Sequence, residues 1–312
     1  MKKRSNSPEV VGTGLTVLDR IYADGDLAGE ELGGSCGNVL LSLAMLRRQV
    51  APLLALGRDE IGNRLVDEFR RAGANTRYIS QHLDILSPVI LQELDTSSGE
   101  HTFSFTCRHT QSELPRYRPV EDAEVAFAAT ILQSCSVFYA DRLTSSIVRA
   151  MEQAHAAGAI VYFEPSDLDD KLFDQALGFA SILKYSSDRL GAEVEQRVRS
   201  SPALAIVTHG ADGLELRQSG RSLWCRAVQI DQVTDACGSG DMVSVGVIDW
   251  LLDHPRRRAV LDIEDIIAGV VAGQHLAAAN CAFAGARGLF HQRGAGFARA
   301  VLSRGFGEID GL

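Results

Sequence analysis

Long apolar runs are missing from this sequence. No stretch of about 18 apolar residues occurs, and Met1-Lys2-Lys3-Arg4 gives way at once to polar residues, so neither a membrane span nor a secretory leader is expected. Paired cysteines are missing as well. Cys36, Cys107, Cys135, Cys225, Cys237 and Cys281 lie far apart with no CxxC, which reads as reduced thiols in a cytoplasmic protein. Charge of one sign is not concentrated: 31 Lys and Arg against 40 Asp and Glu give −9, with the basic residues scattered apart from short groups at 2–4 and 256–258. A nucleic-acid groove or an anionic membrane surface is therefore not expected as a partner. Aromatic residues make up only 6%. What is plentiful is ordinary core: 46% hydrophobic residues over 312 positions exclude disorder, collagen and coiled coil, and allow one large domain or two smaller ones.

The middle of the chain alternates short apolar runs with helical patterns. Residues 136–140, 159–163, 181–184 and 203–207 read as strands. Between them, Thr144 can cap a helix that Gly158 stops, and residues 168–177 and 188–199 carry helical spacing. Such alternation forces parallel strands with crossover helices, so the fold class is α/β with a doubly wound sheet. The first third offers strands at 9–14 and 51–56 with helices at 38–48 and 61–72. Between 85 and 107 the period changes to two, with strands at 88–94 and 101–106 around a turn at 97–99, an antiparallel hairpin set into an α/β protein. It reads as an edge hairpin of the sheet, or as a lid or subunit contact beside a site.

Glycine exceeds its usual share of about 7%, with 29 residues, and its placement is informative. Asp235-Ala-Cys-Gly-Ser-Gly-Asp241 feeds an apolar helix, 242–252, so backbone N–H groups and the positive end of a helix dipole meet at one point. Gly238 and Gly240 allow close approach of a phosphate, and Asp241 can take a proton from an attacking hydroxyl, although a plain helix cap is the commoner meaning of such a turn. Thr208-His-Gly210 with Gly213 is a second strand end suited to a nucleotide. Gly33-Gly34 leads to Asn38, a helix cap or a sugar ligand. Gly12-Thr-Gly14 begins a dinucleotide fingerprint but lacks its third glycine, and no Gly-x-x-x-x-Gly-Lys-Ser/Thr segment exists. Those absences set aside an oxidoreductase and a P-loop kinase.

Together, Gly33-Gly34 with Asn38, Leu56-Gly-Arg-Asp-Glu-Ile-Gly62, Thr208-His-Gly210 with Gly213, and Gly238-Ser-Gly-Asp241 resemble the PfkB, or ribokinase-like, carbohydrate kinase family over most of the chain. The resemblance implies a single three-layer α/β/α domain with lid segments at about 17–33 and 83–108. It implies ATP-dependent phosphorylation of a hydroxymethyl group on a sugar or sugar-like molecule, with magnesium, and with potassium near Asp235. Asp241 matches the catalytic base, and Gly238, Ser239 and Gly240 match the anion hole. Asp19, Gly33, Gly34, Asn38 and Asp141 match sugar contacts. Lys184, Thr208, Gly210, Gly213 and Asn280 fall on the nucleotide side.

The chain departs from that family at two places. The usual Asn-x-x-Glu after the third central strand is replaced by Ser186 and Arg189, and the usual Asn-Pro by Glu164-Pro165. Asp188, Glu164 and Asp235 are then the acids available to a metal, while Lys184 can bring positive charge to the phosphates. Ser35 replaces ribokinase's lysine, which disfavours ribose. A nucleoside kinase, with Tyr22, Phe103 and Phe105 as a base wall, and a non-catalytic sugar or nucleotide sensor are the other readings. A homodimer through the lid is a further expectation.

Overall fold

Strand residues of the central sheet alternate between two cores, and that alternation builds the layers. Val10, Tyr139, Tyr162 and Ile206 point to one face, while Val11, Phe138, Val161 and Ala205 point to the other, all fully buried. The computed structural model describes residues 7–95, 97, 101–166, 170–199, 201–230, 232–255 and 261–307. The expected turn at 97–99 and the start of the helix expected at 168 lie largely outside them.

The chain begins with β1 (Val10–Thr13), β2 (Val17–Ala23), β3 (Asp26–Gly33), α1 (Ser35–Met45), β4 (Val50–Pro52), β5 (Leu54–Gly57), α2 (Glu60–Ala72), β6 (Ile79–His82), β7 (Val89–Leu94) and β8 (His101–Ser104). It continues through α3 (Asp122–Phe127), α4 (Ala129–Leu132), β9 (Val137–Ala140), α5 (Ser145–Ala156), β10 (Ile160–Phe163), α6 (Asp170–Phe179), β11 (Ile182–Ser186), α7 (Ser187–Val198) and β12 (Leu204–Thr208). It closes with β13 (Gly213–Gln218), β14 (Arg221–Arg226), α8 (Ser239–Asp253), α9 (Ile263–Asn280) and α10 (Gly288–Gly307). The main sheet has the order β14-β13-β12-β11-β10-β9-β1-β4, parallel from β4 to β12. Helices α1, α8, α9 and α10 cover one face and α3 to α7 the other, so the α/β class and doubly wound order hold.

Thr144 caps α5 as the sequence suggests, its hydroxyl accepting from the N–H of Ile147 at 3.2 Å. The strand expected at 51–56 is split. Pro52, which has no N–H to donate, ends β4 on the sheet's edge, and the chain then pairs with β6 as β5. The 88–106 hairpin does not complete the main sheet either. β7 and β8 join β2 and β3 in a separate four-stranded sheet of order β3-β2-β7-β8. Among the described residues, no helix is long and apolar enough to cross a membrane.

Helices α8 and α9 pack at very short range, because a Cβ on Gly246 would stand only 2.3 Å from the Cα of Gly273. Asp249, fully buried on α8, accepts from Arg48 just beyond α1 and from Arg299 on α10, each at 2.7 Å. Removing the carboxylate takes the shared partner from both guanidinium groups, leaving Arg48 with Asp253 at 2.8 Å and Arg299 with the carbonyl of Leu46. Asp249→Ala is expected to cost about 3 kcal/mol in urea unfolding, the low end for a broken buried pair because Arg48 keeps Asp253 and Arg299 keeps some access to water. An unchanged midpoint would show that the triad contributes nothing.

Candidate active site

The turn before α8 is shaped by crowding. Gly238, at φ 71°, is the N-cap, and a Cβ there would stand 2.6 Å from that of Ala286. The N–H of Ser239 returns to the carbonyl of Ala236 and that of Met242 to Gly238. By helix geometry the N–H groups of Gly240 and Asp241 have no partner within the helix, and they sit at its positive end. Of the expected anion hole, Ser239 has thus spent its N–H on the turn.

Asp241 is buried beside this turn, and its Oδ2 accepts from Nδ2 of Asn38 at 2.7 Å. The sequence allowed Asn38 to cap α1. The helix instead begins at Ser35 with Gly34 as N-cap, which places Asn38 inside it and frees its amide for Asp241. Burial, with Glu164 next, pushes the Asp241 carboxyl up to about 7, against the opposing pull of Lys184 and Asn38. That is a range suited to a general base at neutral pH.

Lys184, at the carboxyl end of β11 and almost wholly buried, is ion-paired with Glu164. Glu164 also accepts from the hydroxyls of Ser244 at 2.7 Å and Tyr139 at 3.1 Å. The ammonium lies 3.4 Å from where a Cβ on Gly240 would be. A fixed cation therefore stands next to the unpaired N–H groups of the turn.

Asp19, from β2, is buried, and a Cβ on Gly33 would fall 1.8 Å from its Oδ2. Burial and the neighbouring Glu31 push it up to about 7, with Arg287 opposing. Asp141 does not stand free for a sugar as expected. It is fully buried, and its two oxygens accept from the N–H groups of Leu15, at 2.8 Å, and Cys36, at 3.0 Å, tying the β1 turn to the start of α1.

Of the residues expected on the nucleotide side, Thr208 ends β12, and Gly210 and Gly213 bracket a short 3₁₀ turn. Gly213 is required by its neighbours, since a Cβ there would meet the carbonyl oxygen of Cys225 at 2.2 Å. Asn280, expected on the nucleotide side, is engaged by backbone groups. It is fully buried, donates to the carbonyls of Gly285 and Ala286, and accepts from the N–H of Leu289, so it staples the turn before α10.

The three acids proposed for a metal do not come together. Asp188 is exposed on α7, Glu164 is held by Lys184, and Asp235 accepts from the N–H groups of Cys237 and Gly285 and from Gln92. Among the described residues, no group of three His, Cys, Asp or Glu could hold a metal ion. Cys237 is no activated thiol, because burial and Asp235 push it well above its ordinary value.

Two participants carried no sequence signal. Arg287 is fully buried and donates to Oδ1 of Asn38 and to the carbonyl of Leu32. Glu31, from β3, lies 3.5 Å from Arg287 and 3.1 Å from His291.

A model of the pfkB family carbohydrate kinases matches residues 26–289. The fructokinase of Vibrio alginolyticus is 24% identical over 261 residues, 78% of this chain and 83% of that protein. The crystal structure of a fructokinase with bound ATP from Xylella fastidiosa superposes with a TM-score of 0.72 at 21% identity, covering 89% of this chain and 94% of that one. The ribokinase of Giardia lamblia superposes with a TM-score of 0.77 at 16% identity, covering 98% and 100%.

Proposed function

The chain belongs to the pfkB family of carbohydrate kinases, and on that premise we propose that it transfers the γ-phosphoryl group of ATP to a hydroxymethyl group of a sugar or sugar-like molecule. The observation that carries this reading is the buried Asp241, held by Asn38 beside the unpaired N–H groups of its own helix start, with Lys184 adjacent.

Asp241 accepts the proton of the attacking hydroxyl. The hydroxyl oxygen bonds to the γ-phosphorus, the bond from that phosphorus to the bridging oxygen breaks, and ADP leaves with the electron pair. Charge spread over the equatorial oxygens meets the N–H groups of Gly240 and Asp241 and the ammonium of Lys184, which are oriented before reaction. Thr208, Gly210 and Gly213 serve the nucleotide. Asp19 grips sugar hydroxyls, and the β3-β2-β7-β8 sheet forms the lid.

Magnesium neutralises β and γ oxygens in such reactions. Among the described residues no cage of side chains stands ready for it, since Glu164 is committed to Lys184, so the ion fits as a chelate carried in by ATP, and no step here runs through it. Potassium near Asp235 would have to share that carboxylate with three N–H donors. Six free thiols fit a reducing cytoplasm, and the open edges of the lid sheet, β3 and β8, are where a second copy would pair.

The test is ADP release measured against a panel of sugars and nucleosides. Turnover of at least one sugar is expected, and none on any compound would leave a non-catalytic sensor. Turnover confined to nucleosides would favour the second reading. Phe103 supports that one, because it shares a lid face with Asp19 and Gln92, is half exposed, and meets His101 edge-on. Asp19→Ala is expected to raise the sugar KM roughly 10- to 100-fold, the usual scale for losing a hydrogen bond to a charged group. A KM within twofold of the parent would remove Asp19 from the pocket.

A further inference from the structure

We propose that Arg287 is the positioning residue of the catalytic base, acting through Asn38. The inference rests on the reading of Asp241 as that base. A guanidinium has only donors, so its contact with Asn38 must be to the amide oxygen. That contact turns the NH₂ group of Asn38 toward Asp241, where it donates at 2.7 Å. Without Arg287 only the charge state of Asp241 itself would distinguish the two ends of this amide. Reversed, Asn38 would present an oxygen to Asp241, a geometry that only the protonated, inactive carboxyl accommodates.

The arginine is itself held from several sides. It donates to the carbonyl of Leu32 at the end of β3, and Glu31 on the same strand lies 3.5 Å away. Burial works to raise Glu31, yet Arg287 and His291 hold it below its ordinary value, so a charged partner faces the buried guanidinium. A line of contacts therefore runs from β3 through Arg287 and Asn38 to Asp241, across three stretches far apart in sequence. A buried charge is costly to keep. Here it performs a task that an apolar residue cannot, the orientation of an amide.

The charged and titratable groups facing Asp241 from the surrounding elements are Asp19, Cys36, Tyr139, Asp141, Tyr162, Glu164, Lys184 and Cys237. Of these, Asp19 also senses Arg287, so loss of charge alone could change the site. Two variants separate charge from orientation. Arg287→Met removes both. Arg287→Lys keeps the charge, but a single ammonium on a flexible stem lacks the planar fork that spans Leu32 and Asn38.

Both variants are purified, their melting is compared with the parent, and kcat is followed from pH 5 to 9 on the sugar that the panel identifies. Both are expected to lose roughly 10- to 100-fold in kcat at pH 7 and to move the acid limb upward by about one pH unit. Adding Arg287→Met to Asn38→Ala is expected to cost little beyond Asn38→Ala alone. An unmoved acid limb overturns the proposal, as does a parental profile in the lysine variant, additive losses, or failure of both variants to fold, which would make Arg287 purely structural. Full activity of Asp241→Asn would instead overturn the underlying reading, and is scored separately.

Discussion

Replacing Asp241 by asparagine is expected to cut kcat by roughly 10²- to 10⁴-fold, the usual contribution of a positioned general base. The parent enzyme should gain activity as pH rises through about 7, where the carboxylate forms, and the variant should lack that limb. Stability is expected to move the other way. The folded state holds the Asp241 proton more tightly than the unfolded chain, where the carboxyl has its ordinary value near 4. Below that value both states are protonated and ionisation makes no difference. Between about 4 and 7 stability falls with rising pH, and above 7 the full cost remains. Asparagine does not titrate, and the contact from Asn38 still finds an amide oxygen. Asp241→Asn should thus melt higher than the parent at pH 8, with the gap closing toward pH 5. Equal melting at both values would mean that the carboxyl is not held at a cost, and unreduced kcat would remove Asp241 as the base.

Lys184→Met is expected to lower kcat roughly 10²- to 10³-fold, the scale for losing one preorganised group that meets developing charge. It should also destabilise the protein by about 3 kcal/mol, because Glu164 would be left mostly buried with only the hydroxyls of Ser244 and Tyr139. The double variant Lys184→Met with Glu164→Gln separates these effects. It should recover most of the lost stability in urea unfolding and none of the lost rate. Rate returning together with stability would assign Lys184 to the scaffold. Removing the ammonium also withdraws one of the influences that lower Asp241, so the acid limb of the single variant should lie above the parent's.

Much of the architecture was legible because it is written in local patterns. The β9 to β12 units follow from alternating apolar runs and helix caps, and the Asp235–Asp241 turn from its glycines. The β13–β14 hairpin was equally available. Ser219 and Gly220, both at positive φ between alternating residues, form a two-residue turn of the primed kind. What could not be read depends on contacts between distant residues. Asn38 and Asp241 are 203 positions apart, and nothing in the Gly285–Gly288 segment announces that its arginine reaches back to Asn38. Asp141 and Asn280, expected as ligand contacts, have partners that were hidden for a related reason. A strand-end aspartate and a helical asparagine have the right chemistry for ligands, but here backbone N–H and C=O groups claim them first. Type and position identify a polar residue, while only the fold shows which group reaches it.

Helices α1 and α8 are joined at two levels: Asn38 meets Asp241 near their starts, and Arg48, just past the end of α1, meets Asp249 about two turns further along α8. Two rods fastened at two heights cannot slide past each other or scissor apart without breaking one fastening. Any closing movement of the four-stranded sheet over a substrate therefore has to be taken up outside this pair, and the nearest joint is the Gly33-Gly34 link between β3 and α1, where Gly34 already holds φ 79°. The base would then keep its place while the roof above it travels.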